Sequence, residues 1–234
     1  MRLGQSENEP QADVEAVVYA EAARLNKAGY PAPLLLWQTH LRHVADAAFD
    51  REDEMAANLG NELGYHLRSI GDFGSARPYY ERALAIYEKA LGPDHPDTAR
   101  SLNNLGFLLQ AMGNLAEARP YYQRALAIRE KALGPDHPDT ARSLNNLGAL
   151  YKALGDPMKA KPYFQRALKI RERALGNQHP DTAQSYWWLG VLVQEGGNLV
   201  EAQELYSRAF SIYQHVLGES HPTTQSVKQF LQTK

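Results

Sequence analysis

Residues 93–134 read PDHPDTARSLNNLGFLLQAMGNLAEARPYYQRALAIREKALG, and the next 42 residues, Pro135–Gly176, repeat them with about 30 identities. The spacing continues in both directions. Leu63-Gly64, Leu105-Gly106, Leu147-Gly148 and Leu189-Gly190 lie one period apart, as do His95, His137, His179 and His221. Gly29, Gly71, Gly113, Gly155 and Gly197 fall on the same lattice. A fixed period between 20 and 50 residues marks units that cannot bury an apolar face alone and must stack.

Each period carries two helical patterns. In the first, Ala99, Leu102, Leu105, Gly106 and Leu109 share one stripe at spacings of three and four. Pro96 suits the first helical turn, Asp97 complements the positive helix end, and Gly113 follows the last apolar position. The second pattern starts at Asn114, with Glu117 as its capping-box partner, and runs through Tyr121, Tyr122, Ala125 and Leu126 to Leu133. Pro120 lies inside it and predicts a small kink. Gly106 with Ala118, and their equivalents Gly64/Ala76, Gly148/Ala160 and Gly190/Ala202, predict close approach of the two helices of a hairpin. Tyr80, Tyr122, Phe164 and Tyr206 are expected to fill the space between hairpins.

Leu-Gly in the first helix, Ala then Tyr or Phe in the second, and the closing Arg-Ala-Leu or Arg-Ala-Phe resemble the tetratricopeptide repeat (TPR). The long period and the LG-x-x-HP-x-T connection resemble its kinesin-light-chain-like subclass, in arrays of bacterial type. The resemblance covers about residues 51–218. It implies an all-α, right-handed superhelical solenoid of stacked antiparallel hairpins, about eleven helices in all.

The expected organisation is a disordered tail over 1–12, a degenerate N-terminal hairpin over 13–50, repeats over 51–92, 93–134, 135–176 and 177–218, and a C-terminal capping helix over 219–234. In the degenerate hairpin Glu21 replaces the usual Leu and Gln38 the usual aromatic. Terminal repeats often depart in this way because they cap the core.

Composition narrows the function. The formal net charge is −2, which gives no overall electrostatic footprint for nucleic acid or an anionic membrane. There are no cysteines, so disulfides and thiolate chemistry are excluded. No signal-peptide core follows Met1, and no apolar run nears the roughly 18 residues of a membrane span. A cytoplasmic location is expected.

The resemblance puts the first helices on the concave face, so their outward residues form the candidate site. Asn61, Asn103, Asn145 and Trp187 make one ladder, with Asn104, Asn146 and Trp188 beside it. Arg100 and Arg142 lie a turn earlier; Tyr65, Phe107, Arg68, Gln110 and Lys152 lie a turn later. An asparagine amide offers a donor and an acceptor, so a row of them can hold a peptide backbone, and the family uses such asparagines this way. The same amides could instead bond neighbouring helices and set the stack. The four basic groups favour an acidic segment or a C-terminal carboxylate, and a tryptophan is the commonest type of hot-spot anchor.

Other chemistry finds no support in the sequence. Zinc ligands must lie about 2 Å from one ion, whereas packed helices stand roughly 8–10 Å apart. The in-phase histidines are therefore read as caps or braces of the inter-repeat turn. His40 and His43 are one turn apart but lack a third ligand. The Asp94/Asp97 and Asp136/Asp139 pairs recur at helix starts, and no nucleotide-binding, metalloprotease or nucleophile-elbow motif is present. No catalytic residue, metal or cofactor is expected. The function expected is a non-catalytic scaffold for a partner peptide or helix. The alternatives are a sensor or regulatory segment of a larger nucleotide-switch signalling ATPase, or self-association through the array ends.

Overall fold

A computed structural model describes residues 9–27 and 34–232. Among them eleven α-helices and one 3-10 turn occur, and no strand. The helices are α1 (Glu9–Lys27), α2 (Gln38–Ala48), α3 (Glu54–Ser69), α4 (Phe73–Ala90), α5 (Pro96–Ala111) and α6 (Leu115–Ala132). They continue with α7 (Pro138–Ala153), α8 (Pro157–Leu175), α9 (Pro180–Glu195), α10 (Leu199–Leu217) and α11 (Pro222–Gln232). The chain divides into two compact units, residues 1–121 and 122–234.

The connection motif explains the sharp helix starts. His95 Nδ1 accepts the backbone N–H of Asp97 at 3.2 Å, and His137, His179 and His221 do the same for Asp139, Asp181 and Thr223. An imidazole thus fills the N-cap place usually held by Ser, Thr, Asp or Asn, which is the capping role the spacing predicted. Pro follows at the first helical position, where its missing N–H costs nothing. Thr98, Thr140 and Thr182 then donate back to the carbonyls of Gly92, Gly134 and Gly176, each at 2.8 Å. Gly134 itself has φ 97, a left-handed conformation that other residues adopt at a cost.

The second helices run unbroken past Pro78, Pro120 and Pro162. In the first unit Leu63 and Leu67 of α3, Tyr80 and Tyr87 of α4, and Leu102 and Leu105 of α5 are buried. In the second, Leu144 and Leu147 of α7, Phe164 and Ile170 of α8, and Ala183 of α9 are buried, and Val227 of α11 closes the last hairpin over Tyr186 and Tyr213.

The glycines of the Leu-Gly pairs serve an aromatic ring rather than a backbone. A Cβ on Gly64 would stand 2.8 Å from the Tyr80 ring, on Gly148 2.8 Å from Phe164, and on Gly190 2.7 Å from Tyr206. Each ring belongs to the second helix of the same hairpin, so it fills space within the hairpin as well as beside it.

The start of the chain departs from the reading. α1 begins at Glu9, inside the stretch expected to be a disordered tail; residues 1–8 lie outside the described residues, as does Gly29 of the glycine lattice. α1 packs on α3 more than on its sequence neighbour α2. Its contacts with the following segment run at 36 residues: Asn26 to Glu62, and Glu15 to Arg51. Elsewhere in the unit contacts between first helices run at 40 to 43, as in Asn61 to Ser101 and Asn104 to Asn61. The slip of about six residues, roughly 9 Å of helix rise, follows from polar anchors. Glu21, in the place of a core leucine, is instead half-buried and ion-paired to Arg24 at 2.6 Å.

Candidate functional site

In the first unit the inner asparagines are committed to packing. Asn61 is 4% exposed, donates to Ser101 Oγ at 2.8 Å and accepts from Asn104 Nδ2 at 3.3 Å. Asn103 is 5% exposed and donates to the Ala99 carbonyl of its own helix at 3.2 Å. Both amides are buried; Asn61 bonds across to the next first helix, whereas Asn103 bonds within its own. Asn104 stays half-buried.

Arg100 is committed too. Its Nη2 reaches Asn58 Oδ1 and the Tyr87 hydroxyl, both at 2.8 Å, and Asp97 at 3.4 Å, while Tyr87 donates to Asn58 Oδ1 at 2.6 Å. Burial pushes the Tyr87 hydroxyl up to about 12, so it remains a donor at any ordinary pH. Next to this network, Glu62 accepts from Asn26 of α1 at 2.7 Å. Burial raises its carboxyl above the usual range, with Asn26 and Arg100 pulling the other way.

Arg68 differs. Its guanidinium lies 4.6 Å from the Tyr65 ring centroid and 4.2 Å from that of Phe107, held between two rings. No ion pair to Arg68 occurs among the described residues. Tyr65 and Arg68 are one turn apart on α3, and Phe107 stands one period beyond Tyr65 on α5, so helix geometry and the repeat bring the three together. Phe107 is 46% exposed, which keeps the cluster open to solvent. The Tyr80 hydroxyl, within the electrostatic surroundings of Arg68, Glu62 and Tyr65, is buried without a hydrogen-bond partner. A planar guanidinium stacked on rings keeps its in-plane N–H groups directed outward, the geometry for bidentate carboxylate binding. Gln110 is half-buried on α5.

In the second unit Arg142 pairs with Asp139 and Lys152 with Glu195, both at 2.8 Å. Asn145 is 4% exposed and its Oδ1 has no partner. The place of the donor that Asn104 supplies to Asn61 is here taken by Trp188, whose ring stacks on Phe164 with centroids 5.6 Å apart and planes 6° from parallel. Trp187 stands 5.1 Å from Trp188 and 5.9 Å from Phe230 of α11. Both indoles are half-buried in this cluster. Trp188 packs back onto α8 and Trp187 onto the last helices. Asn146 is half-buried on α7.

The sequence names Tyr65, Arg68 and Phe107 without joining them, and Tyr87 and the buried Arg171 carry no signal in it. Among the described residues no group of three or more His, Cys, Asp or Glu could hold a metal ion, and no helix is long and apolar enough to cross a membrane.

The tetratricopeptide-repeat family model matches residues 54–110, 98–173 and 148–215, and the chain belongs to this family. No curated protein sequence matches it. The crystal structure of BtubC (BKLC) from P. vanneervenii superposes with a TM-score of 0.67 at 23% identity, covering 93% of this chain and 95% of that one. A Podosopora anserina putative kinesin light chain with nearly identical TPR-like repeats superposes at 0.66 and 25% identity, covering 86% of this chain and 95% of that one. The fold is thus a TPR-like solenoid of kinesin-light-chain-like type. Repeats of this family generally act as protein-interaction scaffolds and are typically non-catalytic.

Proposed function

We propose that the chain is a non-catalytic scaffold that holds an acidic or C-terminal segment of a protein partner on the face of α3 and α5, with Arg68 as its anion contact. The observation that carries this reading is the stacking of Arg68 between Tyr65 and Phe107 without an ion pair among the described residues. Of the four basic groups expected to attract such a segment, Arg100, Arg142 and Lys152 already have carboxylate partners. The Arg142 and Lys152 pairs are partly exposed, worth about 0–1 kcal/mol, and displaceable by a ligand; Arg100 is also held by Asn58 and Tyr87, and Arg68 needs no displacement. The exposed edge of Phe107 adds apolar contact for the residue next to the carboxylate. Nucleic acid is not the partner, given the net charge, and the proposed location is the cytoplasm.

A displayed library of random C-terminal segments tests the proposal. Segments ending in, or rich in, acidic residues should be enriched on the wild type, lost on Arg68→Ala and kept on Trp187→Ala. The same enrichment on Arg68→Ala would refute the site.

A further inference from the structure

Where repeats are near copies, one that departs from the others deserves a reason. The residue closing the first helix of each hairpin is Ile70, Met112 or Leu154 in three copies and Gly196 in the fourth. Gly196 has φ −79 and ψ 0, a conformation open to any residue. A Cβ built there meets nothing nearer than 3.4 Å. Neither backbone nor space demands glycine.

Gly196 lines a cavity of about 310 Å3 at the turn edge of the second unit. Its floor is Leu189, Leu192 and Val193, all buried, and Pro157 and Met158 form one wall. Other departures act in the same direction. Met158, which lines the cavity, stands where the earlier copies have Gly74 and Ala116, and it is 83% exposed. Val193 stands in place of Leu109 and Tyr151, which widens the floor. An exposed Met158 beside a floor of buried apolar side chains offers apolar surface for contact.

The rim indicates what enters. In the first unit the matching junction is closed by Arg77, whose Nη2 pairs with Glu117 Oε1 at 2.7 Å. The corresponding residues here are Lys161 and Glu201, both lining the cavity, and among the described residues no ion pair joins them. Lys161 is exposed and lacks that partner, and Glu201, which accepts from Asn198 Nδ2 at 2.8 Å, keeps its charge at the rim. The volume lies at the lower end of the roughly 300–1,000 Å3 of ligand pockets, which suits one side chain.

We infer that this cavity docks a second partner segment, one that buries a single large apolar side chain between Met158 and Gly196 and sets an acidic residue against Lys161 and a basic residue against Glu201. The site is separate from the Arg68 face and does not depend on it.

The test uses the full chain and a displayed library of random twelve-residue segments. Segments retained by the wild type but lost on Gly196→Leu, which restores the side chain of the sister copies, would be synthesised and titrated by fluorescence anisotropy. They should carry a large apolar residue flanked by one acid and one base. They should bind Gly196→Leu and Met158→Ser at least tenfold more weakly, and Arg68→Ala as well as the wild type. The exchange Lys161→Glu/Glu201→Lys should weaken them similarly, with recovery for a segment whose two charges are exchanged. Met158 is almost wholly exposed, so its variant stays folded and keeps the test decisive. If no segment distinguishes the wild type from both Gly196→Leu and Met158→Ser, or if charge exchange changes nothing, the inference is wrong.

Discussion

Asn104 donates its side-chain amide to Asn61 Oδ1, 3.3 Å away on the neighbouring first helix, and Asn61 passes the bond on to Ser101. This pair of asparagines is a rung between two first helices. Asn145 occupies the same place in the second unit but faces Trp188, and its Oδ1 is left unpartnered.

The two asparagines should therefore respond differently to removal. Asn61→Leu strands the Ser101 hydroxyl and the Asn104 amide and should cost about 1–3 kcal/mol in urea unfolding. Asn145→Leu removes an acceptor that has no bond to lose and should cost under about 1 kcal/mol. Equal losses would show that the amide bonds do not hold the stack.

The Gly148–Phe164 contact predicts a second asymmetry. Gly148→Ala puts a methyl 2.8 Å from Phe164 Cε1 and should destabilise by about 1–3 kcal/mol. Combined with Phe164→Leu, the alanine should cost less than it does alone, a coupling that a double-mutant cycle measures. Strict additivity would mean that ring and glycine do not meet.

Arg171 is 2% exposed, and its guanidinium donates to the Asp181 carbonyl and Ser185 Oγ at 2.8 Å and to Gln184 at 3.3 Å, all neutral acceptors. Burial lowers its pKa, the mark of a buried cation without a close counter-charge. The same position holds Tyr87 and Tyr213 in the first and last copies and Arg129, bonded like Arg171, in the second, all of them buried. Arg171→Tyr should leave stability unchanged or raise it by about 1 kcal/mol or more. A loss beyond about 3 kcal/mol would show that the charge is compensated after all.

His66 is buried on α3 beside Gln38, and burial lowers its pKa below the ordinary value of about 6.5. The unfolded chain then binds the proton more readily than the folded one. Its contribution to stability is complete above about pH 6.5 and declines as pH falls towards the folded value. Between about pH 7.5 and 5.5 the wild type should lose more stability than His66→Gln. Parallel curves would place the titrating group elsewhere.

The helices and their caps were legible because stacking imposes one period on every packed position. Gly113 and Pro96 declare a boundary through their backbone chemistry, and His95 through its imidazole. Burial was less legible: Asn61 and Asn103 advertise hydrogen-bonding groups, but only the neighbouring helix shows who receives them. The offset of α1 could not be read from the glycine lattice, because Glu15, Glu21 and Asn26 follow polar partners rather than the apolar phase. The Arg68 cluster was half visible. The three-residue step from Tyr65 and the one-period step to Phe107 stand in the sequence, while the pairing that occupies every other candidate cation does not. Gly196 looks like one more helix-ending glycine until its φ is known.

The most direct measurement is an isothermal titration of the acidic segment selected on the wild type into wild-type protein and into Arg68→Lys. The lysine keeps the charge but loses the planar fork that Tyr65 and Phe107 hold in place. At least tenfold weaker binding to Arg68→Lys, with a folded protein, is the predicted result. Equal affinity would mean that charge alone attracts the segment and that the stacked arginine is not its site.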